Sequence, residues 1–321
     1  MIIVKWIQSS CSVEINGSTT LNSIKEKLYD EWESLVRVDF TLHYGEKGAP
    51  ELEINNDEKL ATFLAANYST ILVKSHAVGF SKLKEKTVFQ WAGIGEIVED
   101  DNHFNSVDID HQLHAHVIDH ALQDLMFKNE LFGPITDCVE ASVREYISAV
   151  LVACAMIAGN VKLAAELSIT GKKANGPLDY AMIYKKFFLL ITEAKRDSIN
   201  SGVIQNIGQL VASREEFLYN SLAVAKKRNY MSMAGDIASI PSTGVASTGK
   251  EWVLIRYVLL PKPAVFKSSP ISLPLLNGSR ENIRKDLLTL VSKLLGAVDL
   301  QKRTVDQYGL AKAQKREEEE V

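Results

Sequence analysis

Gly176-Pro177-Leu178-Asp179-Tyr180 and, a few residues on, Phe187-Phe188-Leu189-Leu190-Ile191-Thr192-Glu193-Ala194-Lys195 are the stretches whose reading decides the fold of the larger part of this chain. The second is a continuous apolar run of strand length that ends on an acid, a small residue and a lysine. Residues two apart on a strand share a face, so Glu193 and Lys195 point the same way. Asp179 stands on a preceding strand-like segment, 178–183, behind a Gly-Pro turn. Antiparallel pairing of the two segments sets Asp179 beside Glu193. Adjacent carboxylates repel unless a cation lies between them, and hard oxygen donors favour Mg²⁺. Such an ion polarises a phosphodiester and lowers the pKa of a bound water, while a nearby lysine orients that water or stabilises developing charge. The plainer alternative is a buried strand that ends in a surface ion pair.

The flanking sequence supplies helices. A long helix over 137–158 carries Glu140 and Glu145 beside its apolar face, and either can add a carboxylate. After Lys195 the pattern over 199–211 is helical, with Gln205 and Gln209 one turn apart on a shared face, suited to holding a phosphate or the lysine. Further helical patterns cover 112–127, 215–227 and 280–295. A strand is expected over 252–260, with 247–252 forming a late hairpin. Helices around a small central sheet make an α/β unit. Lys172, Lys173, Lys185, Lys186, Lys195 and Arg196 bracket the acidic pair and would line a phosphate track if the strands pair this way.

The first 75 residues form a different unit. Short strands at 2–6 and 12–15 are followed by an Asn16-Gly17 turn. Ile24, Leu28 and Trp32 then recur at helical spacing. Strands at 38–44 and 51–54, a short helix at 60–64 and a last strand at 70–73 complete the order of a ubiquitin-like β-grasp. No Gly-Gly tail closes it and no catalytic constellation lies within it, so a binding or delivery module is expected. The segment that follows, with Lys82, Lys84 and Lys86 before Glu96, Glu99, Asp100 and Asp101, reads as a linker.

A length of 321 residues points to two domains, and 46% apolar with 24% charged residues argues against disorder. A net charge of −4 excludes an overall basic coat for nucleic acid, though not a local basic groove. Three scattered cysteines, Cys11, Cys138 and Cys154, exclude a disulfide framework and favour a reducing compartment. No signal peptide is recognisable, and the longest apolar run, 147–158, is shorter than the roughly 18 residues of a membrane span.

Two other motifs carry less. Gly244-Val245-Ala246-Ser247-Thr248-Gly249-Lys250 approaches a phosphate-binding loop, but Glu251 stands where Ser or Thr would bind Mg²⁺, and a strand follows instead of a helix. His116 and His120, one turn apart, could share a metal with Asp108 or Asp110, but no cysteine or HExxH pattern joins them, so a solvated helix face is the simpler reading.

A helix glutamate, Asp179 on one strand, Glu193-x-Lys195 on the next and a trailing glutamine resemble the pattern of the PD-(D/E)XK nuclease superfamily. Leu178 stands in place of the proline before the aspartate. Of the two helix candidates Glu145 is favoured for its depth in the helix, with Glu140 open, and Gln205 is the favoured glutamine. With the ubiquitin-like start, the whole chain resembles a Crinkler effector, although no LFLAK-type run is present in its N-terminal module.

The resemblance implies a ubiquitin-like N-terminal module at 1–76, a linker at 77–110, a restriction-endonuclease-like α/β domain at 111–300 with a central mixed sheet flanked by helices, and a charged tail at 301–321. It implies Mg²⁺- or Mn²⁺-dependent endonuclease activity on DNA. Asp179, Glu193 and Glu145 would hold the metal, Lys195 would serve the attacking water and Gln205 would position the helix side. It also implies secretion without an obvious signal peptide, delivery into a host cell and its nucleus, host-protein contacts through the ubiquitin-like module, and no membrane partner. The competing expectation is a non-catalytic effector that uses the same fold to bind host DNA or protein.

Overall fold

In the computed structural model, residues 2–6, 9–14, 19–31, 40–45, 52–66, 68, 70–75, 77–224, 240–275 and 279–319 are described. The chain is a mixed α/β protein with two units, Met1–Val78 together with Thr170–Asn175, and Gly79–Ile169 together with Gly176–Val321. Each has its own apolar core.

In the first unit, the alternation of Phe40, Leu42 and Tyr44 turns three large side chains inward from one strand. Five strands, β1 (Ile2–Trp6), β2 (Ser9–Val13), β3 (Phe40–Tyr44), β4 (Leu52–Ile54) and β5 (Thr70–Ser75), lie in the order β2-β1-β5-β3-β4. Among the described residues only β1 and β5 run parallel; the other neighbours are antiparallel. Helix α1 (Leu21–Glu31) buries Ile24 and Leu28, two of the three residues whose spacing predicts it. Helix α2 (Asp57–Ala65) starts at Asn56, whose side chain accepts the Lys59 N–H at 2.8 Å. The Asn16-Gly17 turn, Trp32, Val38 and Glu51 lie outside the described residues.

The expected linker is part of the second unit. After the two-residue strand β6 (Val78–Gly79), helix α3 (Glu85–Ala92) and strand β7 (Ile97–Glu99) are both built into the fold. Leu83 and Val88 cover Gly208, and the Tyr257 hydroxyl donates to the Ala92 carbonyl at 3.1 Å. The physical reason is the apolar content among the charges, since Phe80, Val88, Ala92, Phe104 and Ile109 are all buried.

The rest of the unit comprises α4 (His111–Phe132), α5 (Glu140–Ala158), β8 (Lys162–Thr170), β9 (Ala174–Tyr184), β10 (Phe187–Ala194), α6 (Ile199–Val224), β11 (Ser242–Ser247), β12 (Glu251–Val258), β13 (Ala264–Lys267), β14 (Ile271–Ser272) and α7 (Arg280–Glu319). The sheet runs β9-β10-β11-β12-β13-β7, with β8 on β9 and β14 on β12. It is mixed, with β10–β11 and β13–β7 parallel. Trp252 and Leu254 of β12 join the core made with α4, α5 and α7, while the alternate residues Val253 and Ile255 belong to the other face. Helix α6 packs on β10, β11 and β12, with α3 behind it. It is continuous through 211–215, where the sequence suggests two helices.

Helix α5 is long and apolar enough to cross a membrane by length and composition, longer than its apolar run alone suggests. Here it buries Tyr146, Ile147, Val150, Leu151 and Cys154 against α4, α7 and the sheet. Cys154 is fully buried, and burial pushes its thiol up to about 12.

The charged tail expected at 301–321 begins inside the fold, because α7 does not stop at 295. Val305 is buried, Gln301 donates to the Pro241 carbonyl at 2.6 Å, and Lys302 donates to the carbonyls of Ala158 and Gly159 at 2.7 and 3.0 Å.

Candidate active site

The β9–β10 hairpin builds the site. Lys185 and Lys186 form its two-residue turn, both with positive φ, and the antiparallel register runs from Phe187↔Tyr184 to Thr192↔Tyr180. The next residues along each strand are Glu193 and Asp179. Asp179 Oδ2 accepts the Ala194 N–H at 2.7 Å, which ties the carboxylate to the neighbouring strand. Glu193 lies opposite Ala246 of β11, whose small side chain leaves room beneath α6.

Four protein groups hold the two carboxylates. Lys195 Nζ is 2.6 Å from Glu193 Oε1, and Gln209 Nε2 donates to Glu193 Oε2 at 2.6 Å. Arg144 Nη2 is 2.9 Å from Asp179 Oδ1, opposite the Ala194 contact. Glu193 is 2% exposed; burial above all, then repulsion from Asp179, pushes its carboxyl up to about 7, against the pull of Lys195 and Gln209. Burial also raises Asp179, opposed by the Ala194 N–H, Arg144 and Lys195.

Of the residues expected from sequence, Asp179, Glu193 and Lys195 come together. The α6 residues that meet the strands are Gly202, Asn206 and Gln209: Gly202 lies under Lys195, and Asn206 Nδ2 donates to the Ile191 carbonyl at 2.9 Å. The glutamine that hydrogen-bonds the pair is Gln209; Gln205 stands half-buried one turn before it on the same side of the helix. The signal in the sequence was the small or polar series Gly202, Asn206, Gln209 inside the apolar face of Val203, Ile207 and Leu210.

The two helix candidates, Glu145 and Glu140, have different surroundings. Glu145 is about half exposed and lies 4.0 Å from Lys128. Glu140 is one turn before Arg144, 3.4 Å from its guanidinium, and its charge is felt by Asp179. The turn residue Lys185 pairs with Asp306 at 2.8 Å. Six residues at roughly 3.3 Å each separate it from Asp179 along β9, about 20 Å, so Lys185 and Lys186 do not line the acidic pair.

Two exposed histidines, His116 and His120, lie on α4, and Asp110 is spent as its N-cap, accepting from Gln112 and Leu113 N–H at 2.9 and 3.1 Å. The loop at 248–250 turns β11 into β12, and its amides are used locally: Gly249 N–H donates to Ser247 Oγ and Glu251 N–H to Thr248 Oγ1.

Among the described residues no three His, Cys, Asp or Glu side chains converge on one point. Asp179 and Glu193 nevertheless suit Mg²⁺ or Mn²⁺, because Mg²⁺ takes one or two carboxylates and completes its shell with water and phosphate oxygens. Burial first, and for Glu193 also repulsion from Asp179, makes both carboxyls harder to ionise, so positive charge beside the pair is favoured. The chain matches no protein-family model and no curated protein.

Proposed function

We propose that the second unit is a PD-(D/E)XK-type nuclease domain that hydrolyses phosphodiesters, with DNA as the substrate. The observation that carries this reading is the buried pair of Asp179, midway along β9, and Glu193, at the C-terminal end of β10, with Lys195 just beyond it, flanked by Glu140 on α5 and Gln209 on α6. The order helix acid, Asp, Glu-x-Lys, trailing Gln is kept, with Glu140 and Gln209 in place of Glu145 and Gln205. Asp179 and Glu193 would hold Mg²⁺ or Mn²⁺. When bound, that ion supplies charge to polarise a phosphodiester and acidify a water. Lys195 lies against Glu193, where its ammonium orients a water or meets developing negative charge. Gln209 and the Ala194 N–H fix the two carboxylates from the protein side.

We further infer that the first unit is a ubiquitin-like β-grasp and that the chain is a Crinkler-type effector, delivered into a host cell and its nucleus, with the ubiquitin-like unit meeting host proteins. The order β2-β1-β5-β3-β4 with a parallel β1–β5 pair supports the β-grasp.

Incubating the full chain with plasmid and Mg²⁺, with and without EDTA, tests the activity. Asp179→Asn or Glu193→Gln is expected to reduce metal-dependent cleavage by at least about a hundredfold while far-UV circular dichroism is unchanged. Equal cleavage by wild type and both variants would sink the assignment. A second reading, a non-catalytic binder of host DNA or protein, is favoured by one observation: every carboxylate oxygen of the pair already has a protein partner. Plasmid binding without turnover selects it.

A further inference from the structure

Arg144 has no counterpart in the nuclease pattern, yet it makes the ion pair that closes the site. Its guanidinium spans three carboxylates: Nη2 lies 2.9 Å from Asp179 Oδ1 and 3.4 Å from Glu140 Oε1, and Nη1 lies 3.6 Å from Glu166 Oε1. Asp179 Oδ2 is committed to the Ala194 N–H, so Oδ1, the oxygen left for a ligand, is the one Arg144 covers. Glu166 is held there at some cost. It sits within β8 with φ of +51°, a left-handed conformation that side chains bearing a β-carbon avoid. The side chain it presents is mostly exposed, and the ion-pair partner it reaches is Arg144.

We propose that Arg144 is an internal counter-cation with two seats: it rests on Asp179 when no divalent ion is bound, and withdraws onto Glu140 and Glu166 when one binds. This rests on the reading that Asp179 and Glu193 take a divalent cation. A guanidinium and a divalent ion on one carboxylate repel each other, so the two occupancies exclude one another. The second seat already exists, because two of the three carboxylates around Arg144 are not part of the pair. Arginine suits this task and lysine does not, since only a planar fork can touch three acids at once. The arrangement keeps the buried pair neutralised between loadings. It also requires the incoming ion to bring enough charge to replace the guanidinium, which favours a divalent ion over a monovalent one.

Mn²⁺ binding to the full chain, followed by the electron paramagnetic resonance of the free ion, tests this without any assay of cleavage. Arg144→Gln removes the competitor and is expected to tighten Mn²⁺ binding about tenfold. Glu166→Gly removes part of the second seat while suiting the backbone, and is expected to weaken binding several-fold, at about the order of one ion-pair contact. Asp179→Asn should abolish the site. If Arg144→Gln fails to fold by circular dichroism, Arg144→Lys replaces it, with smaller but still measurable tightening expected.

Unchanged or weaker binding in the arginine variant, with Asp179→Asn still abolishing it, overturns the two-seat device and leaves the metal reading intact. Unchanged or tighter binding in Glu166→Gly removes the second seat. Wild type and variants that all fail to bind Mn²⁺ overturn the metal reading and this inference together.

Discussion

At the scale of single residues, Glu193 sets a measurable pH dependence. Its carboxyl titrates at about 7 in the folded chain against 4.5 for the unperturbed group, chiefly through burial and then through Asp179. Between those values the folded state holds a proton that the unfolded state has released. Stability contributed by this group therefore falls as pH rises through the window from about 4.5 to 7, and levels off above it. In EDTA, the urea midpoint is expected to drop from pH 5 to pH 8, and Glu193→Gln should flatten that drop. An identical slope in the variant would refute the assignment. Asp179, Glu193 and Lys195 were legible in the sequence because a strand has a period of two and a hairpin fixes its own register. The choice between Gln205 and Gln209, and between Glu145 and Glu140, was not: the phase of a helix against a sheet depends on packing, which one turn of sequence does not reveal. Gln205 and Gln209 share a face by periodicity, and only the approach of Gly202 and Asn206 to the strands chooses between them.

At the scale of elements, close approach explains both a prediction and two omissions. In an ordinary helix interior, Gly→Ala stabilises by up to about 1 kcal/mol. Gly296 of α7 reverses this expectation, because a β-carbon there would overlap the Asn105 carbonyl. That carbonyl belongs to a segment docked on α7 through Val107 N–H to the Ser292 carbonyl at 3.2 Å and Lys293 Nζ to the Phe104 carbonyl at 3.0 Å. Gly296→Ala is therefore expected to destabilise by roughly 1–3 kcal/mol, read as a lower thermal midpoint. A midpoint equal to or above wild type would show that 105–107 can move aside freely. Small residues also hid strands. β11, Ser-Thr-Gly-Val-Ala-Ser, has little strand propensity, yet it lies centrally in the sheet because α6 packs so near that Asn206 occupies the space a side chain at Gly244 would need. β8, with Ala, Glu and Ser along it, is equally quiet in composition.

At the scale of the whole molecule, the boundaries matter more than the element count. Length and composition announce two units, and the first takes in Thr170–Asn175 as well as Met1–Val78. What composition could not show is that charged stretches at 79–110 and 301–306 carry core residues between their charges. A fragment cut at the sequence-derived limits, 111–300, loses α3, β7, Phe104 and Val305, whereas 79–319 keeps them all. The longer fragment is expected to melt cooperatively and the shorter one to melt without a defined transition; equal midpoints would show that 79–110 and 301–319 are both dispensable. One buried group gives such experiments an internal clock. The Cys154 thiol lies towards the C-terminal end of α5, walled in by apolar neighbours and held protonated far above neutral pH. Alkylating reagents need an accessible thiolate, so Cys154 is silent while α5 stays seated, and its rate of modification counts how often that helix leaves the core.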